Sequence, residues 1–198
     1  MSQARVLAHA SDECRDSEAK PGGAGNISGA GARKISKEEK KMAIERVRAY
    51  FREYGMEGRV RELDESSATV ELAAAALNCE PQRIAKTLSF MVEDHAVLVV
   101  AAGDVKIDNS KYKAQFGKKA KMLSPQEAEV LVGHAVGGVC PFAVNEGVEV
   151  YLDESLKRFE TVFPACGSGN SAIELTIPEL EKYSGAAGWI DVCKLMIA

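Results

Sequence analysis

The chain has 198 residues, of which 46% are hydrophobic and 27% charged, ordinary values for a globular protein with one well-packed domain and some length to spare. A net charge of -4 argues against a generic nucleic-acid coat, which needs a clear basic excess to neutralise many phosphates, while leaving room for a local patch that meets a nucleic-acid end. The longest apolar run, Ala96–Ala102, has the length of a buried strand and falls far short of the roughly 18 residues that span a bilayer, so no membrane partner is expected.

Residues 1–35 read as a disordered tail, because Pro21-Gly22-Gly23-Ala24-Gly25 and Gly29-Ala30-Gly31-Ala32 cannot bury enough surface to offset backbone ordering. The N-terminus lacks an apolar signal core and carries Asp12, Glu13, Asp16 and Glu18, which argues against a presequence and makes the cytoplasm the expected location. The folded domain is expected over 36–198. A capping box of Ser36 and Glu39 opens a helix whose face is Ile44, Val47, Phe51 and Tyr54, with Gly55 as the stop. A second, Ala-rich helix spans about Thr69 to Asn78. Ser124-Pro125-Gln126-Glu127 and Thr176-Ile177-Pro178-Glu179 start a third and a fourth, each with a capping residue, a proline in the first turn and a glutamate that completes the box. Short apolar segments bounded by turn residues predict strands at Val60–Leu63, Thr87–Val92, Ala96–Ala102, Val148–Leu152, Thr161–Pro164, Ser171–Leu175 and Ile190–Cys193. Strands and helices do not alternate regularly, which disfavours a doubly wound sheet. The expected class is α/β of the α+β type: a mixed, largely antiparallel, curled or barrel-like sheet of about six or seven strands surrounded by helices.

Three segments could carry chemistry. Ile84-Ala85-Lys86-Thr87-Leu88 puts a lysine at the entrance of an apolar strand, where an inward ammonium would suit a phosphate or carboxylate but demands a partner. Gly133-His134-Ala135-Val136-Gly137-Gly138-Val139-Cys140-Pro141-Phe142 is a tight loop whose glycines allow the backbone close to a ligand, as an oxyanion hole requires. Cys166-Gly167-Ser168-Gly169-Asn170 reads as a hairpin turn; it is neither a dinucleotide fingerprint nor a nucleophile elbow. The five cysteines are odd in number and, like the three histidines, scattered, so no metal site and no disulfide framework is supported and no cofactor is implied. Cys140 has no paired base in the sequence and reads as a small apolar filler, with a thiol-dependent hydrolase built on Cys140 or Cys166 as the weakest alternative. Lys106, Lys111, Lys113, Lys118, Lys119 and Lys121 form either a solvated face or a patch for nucleic acid.

In order and at these separations, the lysine segment, the Gly103-Asp104-Val105 turn followed by Asp108 and Lys111, the Gly-Gly-Val-Cys-Pro-Phe loop, Asp153-Glu154-Ser155-Leu156 and the Gly-Ser-Gly…Ile-Glu-Leu stretch resemble the YbaK/EbsC family and the related editing domain of bacterial prolyl-tRNA synthetases, over about Ala43 to Lys194. The resemblance implies an aminoacyl-tRNA deacylase acting in trans on the ester at the 3′ end of mischarged tRNA, typically tRNA-Pro carrying a small wrong residue such as alanine or cysteine. It also implies tRNA as partner, with prolyl-tRNA synthetase or other translation components as candidates. The alternative is a non-catalytic module of the same fold that binds tRNA ends or docks on a synthetase. The resemblance gives catalytic roles to Lys86, Gly137 and Gly138, and substrate-binding roles to Val139, Pro141, His134, Gly167, Ser168 and Gly169. One departure is the absence of histidine in Phe163-Pro164-Ala165-Cys166, where the alanine-editing branch carries one; His134, just before the glycine loop, is either the substitute or a residue with a supporting or surface role.

Overall fold

The computed structural model describes residues 37–63 and 69–196, all within one unit that spans 33–198. The tail proposed for 1–35 and the Ser36–Glu39 box at the first helix fall outside the described residues and side chains.

Helix α1 (Lys37–Arg52) buries Ile44, Val47 and Phe51, the apolar face expected of it. Tyr54 leaves that face. The helix has already closed into a turn ended by Gly55 at φ 68°, and Tyr54 lies 44% exposed with its ring against Tyr183. Strand β1 (Arg61–Glu62) follows, then α2 (Val70–Leu77), whose first turn is capped by the Thr69 hydroxyl and whose end is a left-handed Asn78.

The centre of the fold is a hairpin of β2 (Ile84–Val92) and β3 (His95–Ala102). β3 is buried along almost its whole length, which is why its sequence is a continuous apolar run rather than an alternating one. Past it come β4 (Val105–Ile107), α3 (Asn109–Phe116) and α4 (Pro125–Glu127), the last running on as a π-helical stretch, Ala128–Val132. The remaining elements are β5 (Glu149–Asp153), β6 (Thr161–Pro164), β7 (Ser171–Ala172), β8 (Leu175–Thr176), α5 (Ile177–Ser184), β9 (Gly188–Ile190) and β10 (Cys193–Leu195).

Six of these strands make one curled, mixed sheet in the order β8-β6-β2-β3-β5-β9. β2–β3 and β6–β8 are antiparallel, whereas β6–β2, β3–β5 and β5–β9 are parallel. Two further antiparallel pairs, β1–β7 and β4–β10, lie beside it. The expected α+β class and mixed sheet therefore hold. Among the described residues no helix is long and apolar enough to cross a membrane.

Arg59 ties the 3-10 turn after α1 to the start of α5, with Nη1 donating to Glu179 Oε1 at 2.7 Å. Glu179 also accepts from the Thr176 amide at 2.9 Å as part of its capping box. Arg59 first, and then the cap, hold the Glu179 carboxyl at about 2, below its ordinary 4.5. A folded-state value below the unfolded one means that the pair stabilises fully above pH 4.5 and stops doing so as the pH falls towards 2. Glu179→Gln is therefore expected to lower Tm at neutral pH, and thermal melts of the two proteins should converge as the pH approaches 2.

Candidate functional site

Lys86 lies near the start of β2, opposite Ala101 of β3. Its half-buried ammonium donates to the carbonyl of Gly103, at 3.1 Å, and to that of Val105. Gly103 lies in the turn between β3 and β4 and Val105 opens β4, so the Gly103-Asp104-Val105 motif is the cradle of the lysine. The turn is itself pinned: Arg158 donates to both carboxylate oxygens of Asp104, and a Cβ at Gly103 would lie 2.0 Å from the Pro81 carbonyl oxygen. Burial lowers the Lys86 pKa, partly opposed by Cys193, Asp104 and Glu71. An ammonium has three donors, and two are spent on the turn.

Lys86 lines a cavity of about 390 Å³, near the lower end of the roughly 300–1,000 Å³ typical of small-ligand sites. One wall is α2 with Thr69 before it, another the β2 stretch 84–89, and a third Met122, Leu123 and Pro125. The glycine loop contributes Val136, Gly137 and Val139, and the hairpin turn region Ser168, Ser171 and Ala172. Lys86 is the one charged side chain among the described lining residues; the rest are apolar or carry hydroxyls.

The structure thus brings Lys86, Gly137, Val139 and Ser168 to one cavity and leaves the other expected site residues off its lining. The Gly138 amide donates to Ala135 O at 3.0 Å inside its own turn, so that donor is already used. Gly138 is instead where two loops touch: a Cβ there would sit 2.5 Å from the Gly167 carbonyl. Gly167, at φ 86°, packs with equal closeness against the Ala43 carbonyl of α1, and Gly169 approaches the Gly137 carbonyl. Gly138 and Gly167 are therefore spent on backbone-to-backbone contact behind the cavity. Ser168 Oγ lies 2.8 Å from Ser171 Oγ and 3.0 Å from Asn170 Oδ1, a small network that fixes the turn. Pro141 is buried and absent from the lining.

His134 is fully buried, with Nε2 2.7 Å from the Phe142 carbonyl oxygen and Nδ1 without a partner among the described residues. Cys140 Sγ is 3.5 Å from the same Nε2, a proximity that sequence spacing alone did not reveal. The pair is not an activated thiol. Burial pushes Cys140 up to about 12 and His134 down, so both stay neutral, and neither lines the cavity. Among the described residues no cluster of three or more His, Cys, Asp or Glu is arranged to hold a metal.

Residues 64–183 match the family model of the aminoacyl-tRNA editing domain. The chain is 56% identical to the protein YwhH of Bacillus subtilis (strain 168) over 154 residues, 77% of this chain and 98% of that one. It is 31% identical to a proline–tRNA ligase of Geobacillus sp. (strain WCH70) over 101 residues, half of this chain but 18% of the ligase. A crystal structure described as a candidate trans-editing enzyme for prolyl tRNA synthetase superposes with a TM-score of 0.70 at 30% identity, covering 81% of this chain and 99% of that one.

Proposed function

The chain belongs to the aminoacyl-tRNA editing domain family, and we propose from this premise that it is a deacylase acting in trans: it hydrolyses the ester joining a small, wrong amino acid, such as alanine or cysteine, to the 3′ end of tRNA-Pro. The observation that carries the reading is the shared cavity, in which one cation on a strand faces a glycine loop across an otherwise uncharged, largely apolar space. The third N–H of Lys86 has no partner among the described residues and can reach the ribose or terminal phosphate. The amides of Gly137 and Val139 have no hydrogen-bond partner among the described residues, unlike that of Gly138, and supply donors for the developing oxyanion. Water attacks the held ester, and the gain comes from orientation and charge stabilisation rather than from a protein nucleophile.

The purified chain should strip amino acid from alanyl- or cysteinyl-tRNA-Pro and spare prolyl-tRNA-Pro. If every mischarged tRNA-Pro survives where an established editor acts in the same assay, the proposal is wrong; tight tRNA binding without turnover would then point to the non-catalytic module. A thiol mechanism is tested separately. Cys140→Ala and Cys166→Ala are expected to keep deacylation within about threefold of wild type, because burial holds both thiols un-ionised. Loss of all activity in either variant, with Tm unchanged, would reinstate a thiol.

A further inference from the structure

One wall of the cavity is an open sheet edge. β2 is paired with β3 along one side over residues 85–92. On its other side β6 reaches only Ile84 and Ala85. Further along, the segment around Met122 pairs with the same side, through Met91 N–H to Lys121 O at 2.9 Å and Leu123 N–H to Ser89 O at 3.0 Å. Between these two partners lies a gap. In an antiparallel strand the N–H and C=O of alternate residues point to the same edge. Ser89 and Met91 use the gap side, so the N–H and C=O of Thr87 point there too, and no described residue pairs with them.

Two prolines hold the gap open. Continuing the Met122 pairing by one step would need an N–H at position 125, which Pro125 lacks. At the other end Pro164 closes β6, and Ala165 turns away to pair with Ala172. Ala85, Thr87, Ser89, Leu123, Pro125 and Ala165, the residues bounding the gap, all line the cavity, so the unpaired edge opens into it.

We propose that the main chain of Thr87 grips the amino-acid part of the substrate. The Thr87 C=O accepts a hydrogen bond from the α-ammonium, and the Thr87 N–H donates to the ester carbonyl, as if one residue were added to the edge of β2. This rests on the deacylase reading and deepens it. The described cavity lining contains no carboxylate to meet an α-ammonium, and a strand carbonyl supplies that acceptor without one. Because the grip uses atoms common to all amino acids, discrimination falls to the wall that receives the side chain, built from α2, Phe163 and the Met122 segment.

Hydrogen exchange by NMR on the full chain tests this, with 3′-alanylamido-3′-deoxyadenosine as a non-hydrolysable probe and its propionyl counterpart, which lacks the amino group, as control. In the free chain the Thr87 amide should exchange much faster than those of Lys86 and Leu88, which face β3. The alanyl probe should slow Thr87 exchange at least tenfold and bind about 10- to 100-fold more tightly than the propionyl probe, the range expected for a hydrogen bond to a charged group. Three results would overturn the grip alone, provided that the chain hydrolyses the alanyl ester: a Thr87 amide as protected as Leu88 before any probe is added, unchanged Thr87 exchange in the complex, or equal affinity for the two probes. Neither hydrolysis nor binding would overturn the deacylase reading and the grip together.

Discussion

Lys86→Ala is expected to slow deacylation of the sensitive aminoacyl-tRNA by about 100-fold, the usual consequence of removing one donor that acts on the transition state. Lys86 is the only charge among the described lining residues, so no other cation on that lining can replace it. Its ammonium is fixed by the Gly103 and Val105 carbonyls and arrives at the reaction already oriented. Removing it also strips a partner from two carbonyls, so a fall in Tm must be separated from a fall in chemistry. Lys86→Met keeps the aliphatic stem, and single-turnover rates at saturating enzyme remove the binding contribution. If the charge is the active feature, Lys86→Met should be as slow as Lys86→Ala while melting closer to wild type. An unimpaired Lys86→Met would reduce the residue to a structural tie. The pH profile gives a second readout. Because burial lowers the Lys86 pKa, the ammonium, and with it activity above the spontaneous rate, should be lost at a pH below the ordinary lysine value of 10.5. The same depression means that the unfolded chain holds this proton more tightly, so the lysine's contribution to stability rises, rather than falls, as the pH passes through its folded-state value.

How much of this was legible before the structure depended on how local each signal was. The caps at Ser124 and Thr176 are written within four residues, and each helix starts where they say. β6 matches its expected span because turn residues bound it on both sides. α3 is not legible from periodicity, since its sequence, NSKYKAQF, buries only Tyr112 and so shows no apolar period; its one clear signal is Asp108, whose carboxylate caps the helix. The stretches expected as single strands at 171–175 and 190–193 are each divided between two partners: β7 pairs with β1 and β8 with β6, while β9 pairs with β5 and β10 with β4. Apolar patterning marks a segment as extended but does not say where it changes neighbours.

The site followed the same rule. A lysine in an apolar strand was visible, and so was its need for a partner, yet the partner is a turn 17 to 19 residues away that only tertiary structure supplies. The glycine loop was visible as well, but its two adjacent glycines differ in a way that sequence cannot tell: Gly137 borders the cavity, and Gly138 faces another backbone.

That difference sets the second large effect. Gly138→Ala should be more damaging than the same change at Gly137 or Gly169. Its Cβ would lie 2.5 Å from the carbonyl carbon and oxygen of Gly167 and 2.6 Å from the Ser168 Cα, all main-chain atoms with no rotamer by which to yield. The two loops must separate, at about 1–3 kcal/mol by analogy with overpacked cores, or on the order of 5 °C in Tm for a chain of this size. Because Gly137, Val139 and Ser168 lie on these same loops, deacylation should fall at least about tenfold, since small displacements at a reacting centre are costly. Gly137→Ala meets no atom within 4 Å but must hold φ near 94°, so it should cost about 1–2 kcal/mol through backbone strain alone. Gly169→Ala would place its Cβ 3.4 Å from the Gly137 carbonyl oxygen, an ordinary contact, and should come closest to wild type. Tm and single-turnover rates for the three variants should therefore rank 169 above 137 above 138. A Gly138→Ala protein with wild-type Tm and rate would mean that the two loops are not held together by this contact, and that the wall carrying Gly137 is positioned by something else.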